Sequence, residues 1–268
     1  MKNNLNEYRK EELSDLAESI IDNYFGDRFI EPEVIARANN ITYSYGNYKN
    51  AFDGLLQHKF GRFHIFINSY RSGLRENPRA RFTFGHELGH FYIDEHRNPL
   101  KSGKVMSHPS FNLLLQENFA EKEADFFSSC LLMPTTRFRK SCLKNPLSGK
   151  LLEKLSNEYQ TSVSATIFRY FELNLYPMFI VCCKDAIVKW YFRSVDFKYK
   201  YPPAIGSEVP HSSVAGEYFY SNKEYLSEEI IFPDDWFSDF KMDKTQQIFE
   251  KCYYIKHNNS VISLIWNK

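Results

Sequence analysis

Long apolar runs are missing from this 268-residue chain. A helix that crosses a bilayer needs about 20 consecutive apolar residues, and no stretch approaches that length. An excess of either charge is missing too, since 34 Lys and Arg stand against 33 Asp and Glu. That balance removes any bulk electrostatic drive toward nucleic acid or an anionic membrane. Cysteine is scarce. Cys130, Cys142, Cys182, Cys183 and Cys252 are odd in number, irregularly spaced and never arranged as a C-x-x-C pair. This leaves thiolate zinc knuckles and thioredoxin-like chemistry unsupported, and it fits buried free thiols in a reducing compartment. There is no internal repeat and no low-complexity tract. The first residues, Met1 to Lys10, are polar and do not read as a secretion signal. A globular protein of the cytoplasm is expected.

What is present supports sizeable cores. Hydrophobic residues make up 43% of the chain and aromatic ones 17%, and each large ring brings much apolar area to bury. Leu13, Leu16, Ala17, Ile20, Ile21 and Tyr24 recur at helical spacing, with Gly26 as a stop. A second short helix is predicted over residues 32–39, opened by Pro32. Ile41, Tyr43 and Tyr45 alternate as in a strand, as do Phe63, Ile65 and Ile67 before Asn68. Asn77-Pro78 is a capping residue followed by a first-turn proline, so a helix is predicted from there to about Asp94. Residues 96–110 read as a polar loop, and Phe111 to Met133 as a helix ended by Pro134.

Residues 139–149 read as a linker. Leu151, Leu152, Leu155 and Tyr159 then form one helical face. Ser164 is expected to cap a second helix carrying Ile167, Phe168 and Phe171, giving a small helix-turn-helix pattern. From Tyr176 the period changes to two. Hairpins are predicted over 177–193, turning at Lys184-Asp185, and over 249–266, turning at Asn258-Asn259. The expected class is α+β: a mainly helical domain with a small sheet over 1–140, a helix-turn-helix segment over 141–175, and a strand-rich domain over 176–268.

The chemistry concentrates in His86-Glu87-Leu88-Gly89-His90. Residues four apart on a helix differ by about 40° around the axis and about 6 Å along it. Both imidazoles therefore leave one face at a separation that a single metal ion can bridge. Glu87 is rotated by about 100° to the flank, where it can reach a water on such an ion. This is the H-E-x-x-H arrangement of two zinc ligands and a general base. A zinc peptidase needs a third protein ligand. On the next predicted helix, Glu121 and Asp125 share a face while Glu123 points elsewhere. One carboxylate of the pair can bind the metal, and the other can accept the free N–H of a ligating histidine. The competing reading is a helix with two ordinary histidines followed by a solvated acidic stripe. Gly85 and Gly89, four apart, strip one helix face for the close approach of another element.

Arg81-Phe82-Thr83-Phe84-Gly85-His86-Glu87-Leu88-Gly89-His90, Glu121-x-Glu123-Ala124-Asp125 and Leu131-Leu132-Met133-Pro134 together resemble the ImmA/IrrE family of zinc metallopeptidases, in motif order over roughly residues 10–175. The resemblance implies a zincin-like fold, zinc held by His86, His90 and Glu121, and Glu87 as catalytic base. It further implies that Asp125 hydrogen-bonds a ligand histidine, His86. Members carry a helix-turn-helix segment and a variable C-terminal domain, so a sensory or substrate-docking tail is implied. They cleave a partner repressor of the helix-turn-helix class in response to stress, which implies such a repressor as partner and a role in transcription regulation. Gly85 stands where many members have alanine. For a transition-state stabiliser the candidates are His96, His108, Tyr92 and Tyr159.

Two other classes compete. The helix-turn-helix pattern invites DNA binding, but Lys154 and Arg169 face Glu153, Glu158 and Glu172, which is no phosphate-reading surface. The second is a non-catalytic regulator with a structural or vestigial metal site. Glu87 separates it from the enzyme, because a structural site needs no base. The strand Phe63–Asn68 is read either as an edge on which substrate pairs or as an interior strand. The tail over 176–268 is balanced in charge and implies no charge-driven partner. Cys182 and Cys183 read as buried strand residues.

Overall fold

A computed structural model describes residues 5–105, 107–111, 118–143, 145–238 and 247–267, and for His108 the backbone alone. The fold is α+β with a strand-rich C-terminal region. The chain divides into two compact units, Met1–Lys144 with Glu153–Arg169, and Asn145–Leu152 with Tyr170–Lys268.

In the first unit, helix α1 (Glu7–Tyr24) is opened by Asn6, whose side chain accepts from Arg9 N. Its face of Leu13, Ala17, Ile20 and Ile21 is buried, as the helical period requires. Helix α2 (Pro32–Ala38) leads to strand β1 (Thr42–Gly46), then β2 (Gly54–Lys59) and β3 (Arg62–Asn68). Phe60 and Gly61 join β2 to β3 with positive φ at both positions, the geometry that matches the twist of a tight hairpin. The short helix α3 (Ser69–Ser72) precedes α4 (Pro78–Tyr92) and α5 (Asp94–Lys101), and strand β4 (Ser107–Ser110) follows. Helix α6 (Phe119–Leu132) is capped by Asn118, and α7 (Thr135–Cys142) follows it. Helices α8 (Gly149–Tyr159) and α9 (Val163–Glu172) come next, of which Glu153–Arg169 belongs to this unit. The sheet order is β1-β3-β2-β4, with β1 parallel to β3 and the other pairs antiparallel. Leu13, Ile21, Ile35, Leu56, Ile65, Phe84, Leu88, Phe127 and Leu131 form the core between sheet and helices.

In the second unit, β5 (Met178–Lys184) and β6 (Ile187–Arg193) form a hairpin whose turn residues Asp185 and Ala186 both have positive φ. Helix α10 (Val214–Ser221) and strands β7 (Glu229–Ile231), β8 (Ile248–Ile255) and β9 (Ser260–Asn267) complete an antiparallel sheet ordered β6-β5-β9-β8-β7. The fully buried Glu250 carboxylate accepts from Val214 N, Ala215 N, Trp236 Nε1 and Ser263 Oγ. It thereby satisfies the orphan donors at the start of α10.

Several expectations are corrected. Residues 96–110 are not a plain loop, because they include most of α5 and all of β4. The helix expected from Phe111 starts at Phe119; residues 112–117 lie outside the described set. The stretch 139–149 contains the end of α7 and the start of α8. The second helix of the pair is capped by Ser162, whose hydroxyl accepts from Ala165 N, rather than by Ser164. Strand β3 is interior, so Phe63–Asn68 offers no edge. Among the described residues no helix is long and apolar enough to cross a membrane.

Candidate metal centre

Helix α4 carries His86, Glu87 and His90, and α6 carries Glu121 and Asp125. The two helices cross closely because Gly89 has no side chain: a Cβ there would stand 3.1 Å from Ala124 Cα. At Gly85 the room for a methyl is taken by Ser128, whose hydroxyl would lie 2.5 Å from an added Cβ and donates to Phe82 O. The contact accounts for glycine at this position.

His86 Nε2 and His90 Nε2 are 3.0 Å apart. Glu121 completes a triangle, with Oε2 at 3.3 Å from His86 Nε2 and Oε1 at 3.2 Å from His90 Nε2. All three residues are buried and could hold a metal ion. Donors that bind zinc at about 2.0–2.2 Å in a tetrahedron stand about 3.3–3.5 Å from one another, so the observed triangle needs little adjustment. Two imidazoles and one carboxylate suit zinc or another borderline ion, whereas magnesium and calcium favour all-oxygen sites. The donor set therefore fits a transition-type divalent ion.

The partners behind this triangle are specific. Asp125 Oδ1 lies 2.8 Å from His86 Nδ1. His90 Nδ1 faces His96 Nδ1 at 3.2 Å, and His96 Nε2 is 2.9 Å from Glu123 Oε2. Burial opposes a charge on His86, but Asp125 and Glu121 on its two ring nitrogens outweigh it and take its pKa up to about 10. Burial pushes His90 down to about 3. Burial also opposes charge on Glu121, yet the two histidines prevail and hold it below the usual carboxylate range.

Glu87 is fully buried on the flank of the triangle, and neither carboxylate oxygen has a hydrogen-bond partner of normal geometry. Burial pushes its pKa up to about 8, tempered by His86, the Ser110 hydroxyl and the Leu56 backbone. Strand β2 passes directly over it. A Cβ at Gly54 would stand 2.4 Å from Glu87 Oε1 and 2.5 Å from Thr83 Cγ2. Gly54 is a residue that spacing arguments missed, since its partner lies on another element. No strand is predicted over 54–59, so a glycine at the head of a strand, a common mark of close approach, is not visible there from the sequence.

The four candidate stabilisers scatter. Tyr92 OH accepts from Asn39, and its ring stacks on Phe127. Tyr159 pairs with Ser141 and Phe138. His96 sits behind His90 rather than beside Glu87. The side chain of His108 lies outside the described residues. Arg169 is buried, bonding Met133 O, Thr135 Oγ1 and Cys130 Sγ, so it presents no charge to a phosphate.

Residues 41–171 match a peptidase family model described as the IrrE N-terminal-like domain. No curated protein matches the chain significantly. Among solved structures, a Mycobacterium tuberculosis transcriptional regulator is similar with a TM-score of 0.59 and 10% identity, over 99% of this chain and 78% of that one. At that identity the likeness is one of fold.

Proposed function

We propose, from the match of residues 41–171 to the IrrE N-terminal-like family model, that the chain is a zinc-dependent endopeptidase that cleaves a partner protein. His86, His90 and Glu121 would hold the ion, and Glu87 would act as general base. The observation that carries this reading is Glu87 itself. A carboxylate fully buried beside a three-donor cluster, with no hydrogen-bond partner of normal geometry, is held where it can take a proton from a water on the ion. A structural metal site would have no use for it.

Bound zinc would supply Lewis acidity and a water of lowered pKa. The chain's own residues do the rest. Glu87 takes a proton from the attacking water and returns it to the leaving amine. Asp125 accepts from His86 Nδ1, which fixes the tautomer that leaves Nε2 free to ligate. Strand β4 is the sheet's edge nearest Glu87 through Ser110, and among the described residues only β2 pairs with it. An extended substrate segment would add to that edge by main-chain hydrogen bonds.

The substrate class, by resemblance, is a helix-turn-helix repressor, and the regulator-like fold neighbour is consistent with a role in that setting. The test is Glu87→Gln. It should keep its zinc and lose about 10²–10⁴-fold in cleavage of the candidate repressor. A variant that cleaves as fast as the parent overturns the enzyme reading.

A second reading draws on the complete burial of His86 and Glu87. A regulator with a structural metal would bury its ligands in this way. The same variant separates the two, because only the enzyme depends on the charge of Glu87.

A further inference from the structure

Behind His90 the structure places a chain of three side chains that the peptidase reading leaves unused. His96 is 7% exposed, Glu123 15% and Arg9 17%. They come from α5, α6 and α1, so they meet through the tertiary fold and not through helix spacing. We propose that His96, anchored by Glu123 and Arg9, is a positioning residue that fixes the tautomer and ring orientation of His90 for metal binding. The inference rests on the reading of His86, His90 and Glu121 as ligands.

The hydrogen-bond polarity admits one pattern. For His90 Nε2 to bind an ion it must carry a lone pair, so its proton sits on Nδ1. That N–H points at His96 Nδ1, 3.2 Å away, which must therefore accept. His96 then carries its own proton on Nε2 and donates it to Glu123 Oε2 at 2.9 Å. Glu123 is an acceptor only, and Arg9 completes it by donating from Nε at 2.8 Å to Oε1 and from Nη2 at 3.2 Å to Oε2. Each member of the chain thus points its proton away from the ion. His86 reaches a carboxylate directly through Asp125, whereas His90 reaches Glu123 through an imidazole. The two ligand histidines are held by different devices.

Partners of this kind typically matter 10–100-fold for metal affinity. The experiment measures zinc affinity of the full chain by chelator competition, together with the visible spectrum of the cobalt-substituted protein. His96→Leu should weaken zinc binding by about 10–100-fold and change the cobalt spectrum. His96→Gln offers a carbonyl to His90 and an N–H to Glu123, so it should recover most of the affinity. Should His96→Leu fail to fold, Glu123→Gln is read in its place and should weaken binding several-fold. Affinities within about threefold of the parent, with an unchanged cobalt spectrum, would overturn the proposal. A parent chain that binds no zinc would instead overturn the metal-site reading itself.

Discussion

At the scale of single residues, the cluster that could hold a metal is a proton store. Without an ion, His86 with a pKa near 10 and Glu87 near 8 both hold protons at pH 7. A metal ion competes for the same lone pair on His86 Nε2, so loading must expel at least one proton. Raising the pH removes that competitor, and zinc affinity should climb between pH 6 and pH 8. Calorimetry in buffers of differing ionisation enthalpy reads the protons released; a pH-independent affinity with no release would contradict the assignment. The pairing of His86 with His90 was legible in the sequence because helix arithmetic puts residues four apart on one face, whereas Glu121 as their partner came only from the resemblance, since spacing left Glu121 and Asp125 interchangeable. Asp125 as the partner of His86 likewise came from the resemblance; spacing showed only that it shares a face with Glu121. Glu123, set aside as pointing elsewhere, does leave that face, and it points at His96. Nothing in its spacing announces His96 or Arg9, since that meeting depends on how α1, α5 and α6 pack.

At the scale of elements, the site depends on two close approaches, each made at a glycine. Gly89 lets α6 lie against α4, and Gly54 lets β2 lie against Glu87. Gly54→Ala places a methyl where Glu87 Oε1 and Thr83 Cγ2 already are. The strand or the carboxylate must move, at a stability cost of about 1–3 kcal/mol. A shift of about 1 Å in a catalytic group can cost on the order of 10²-fold in rate. The variant should therefore keep its zinc while cleavage falls, and unchanged cleavage would show that the contact is slack. In the second unit, Glu250→Ala would leave the donors of Val214, Ala215, Trp236 and Ser263 buried without their acceptor. A loss of about 3 kcal/mol or more is expected from denaturant unfolding. Amphipathic helices such as α1 and α8 were visible in the sequence through their period, and α4 through its Asn77-Pro78 start. β4 was not, because four edge residues paired through backbone carry no alternation of their own. α5 was hidden by Pro99, which sits inside it and reads in isolation as a loop marker.

At the scale of the whole molecule, the paired helices α8 and α9 have a helix-turn-helix pattern whose charges already argue against nucleic-acid reading, and their contacts assign part of them to the first unit. Arg169 gives its guanidinium to Met133 O and Thr135 Oγ1 at the junction of α6 and α7. Thr161 and Thr166 share a hydrogen bond in the same buried region. A gel shift of the full chain should show no salt-sensitive duplex binding. A fragment ending near residue 175 should bind zinc, whereas one ending at residue 144 should unfold at lower denaturant or not bind, for want of Arg169; zinc titration with melting curves checks both. The grouping of residues 145–152 with the second unit and 153–169 with the first has a consequence for biosynthesis. Domains emerging from a ribosome tend to fold as they complete. Here the N-terminal portion stays unfinished until residue 169 has emerged, so a nascent chain stalled just past α7 would expose the half that carries the His86–His90–Glu121 cluster to chaperones and proteases.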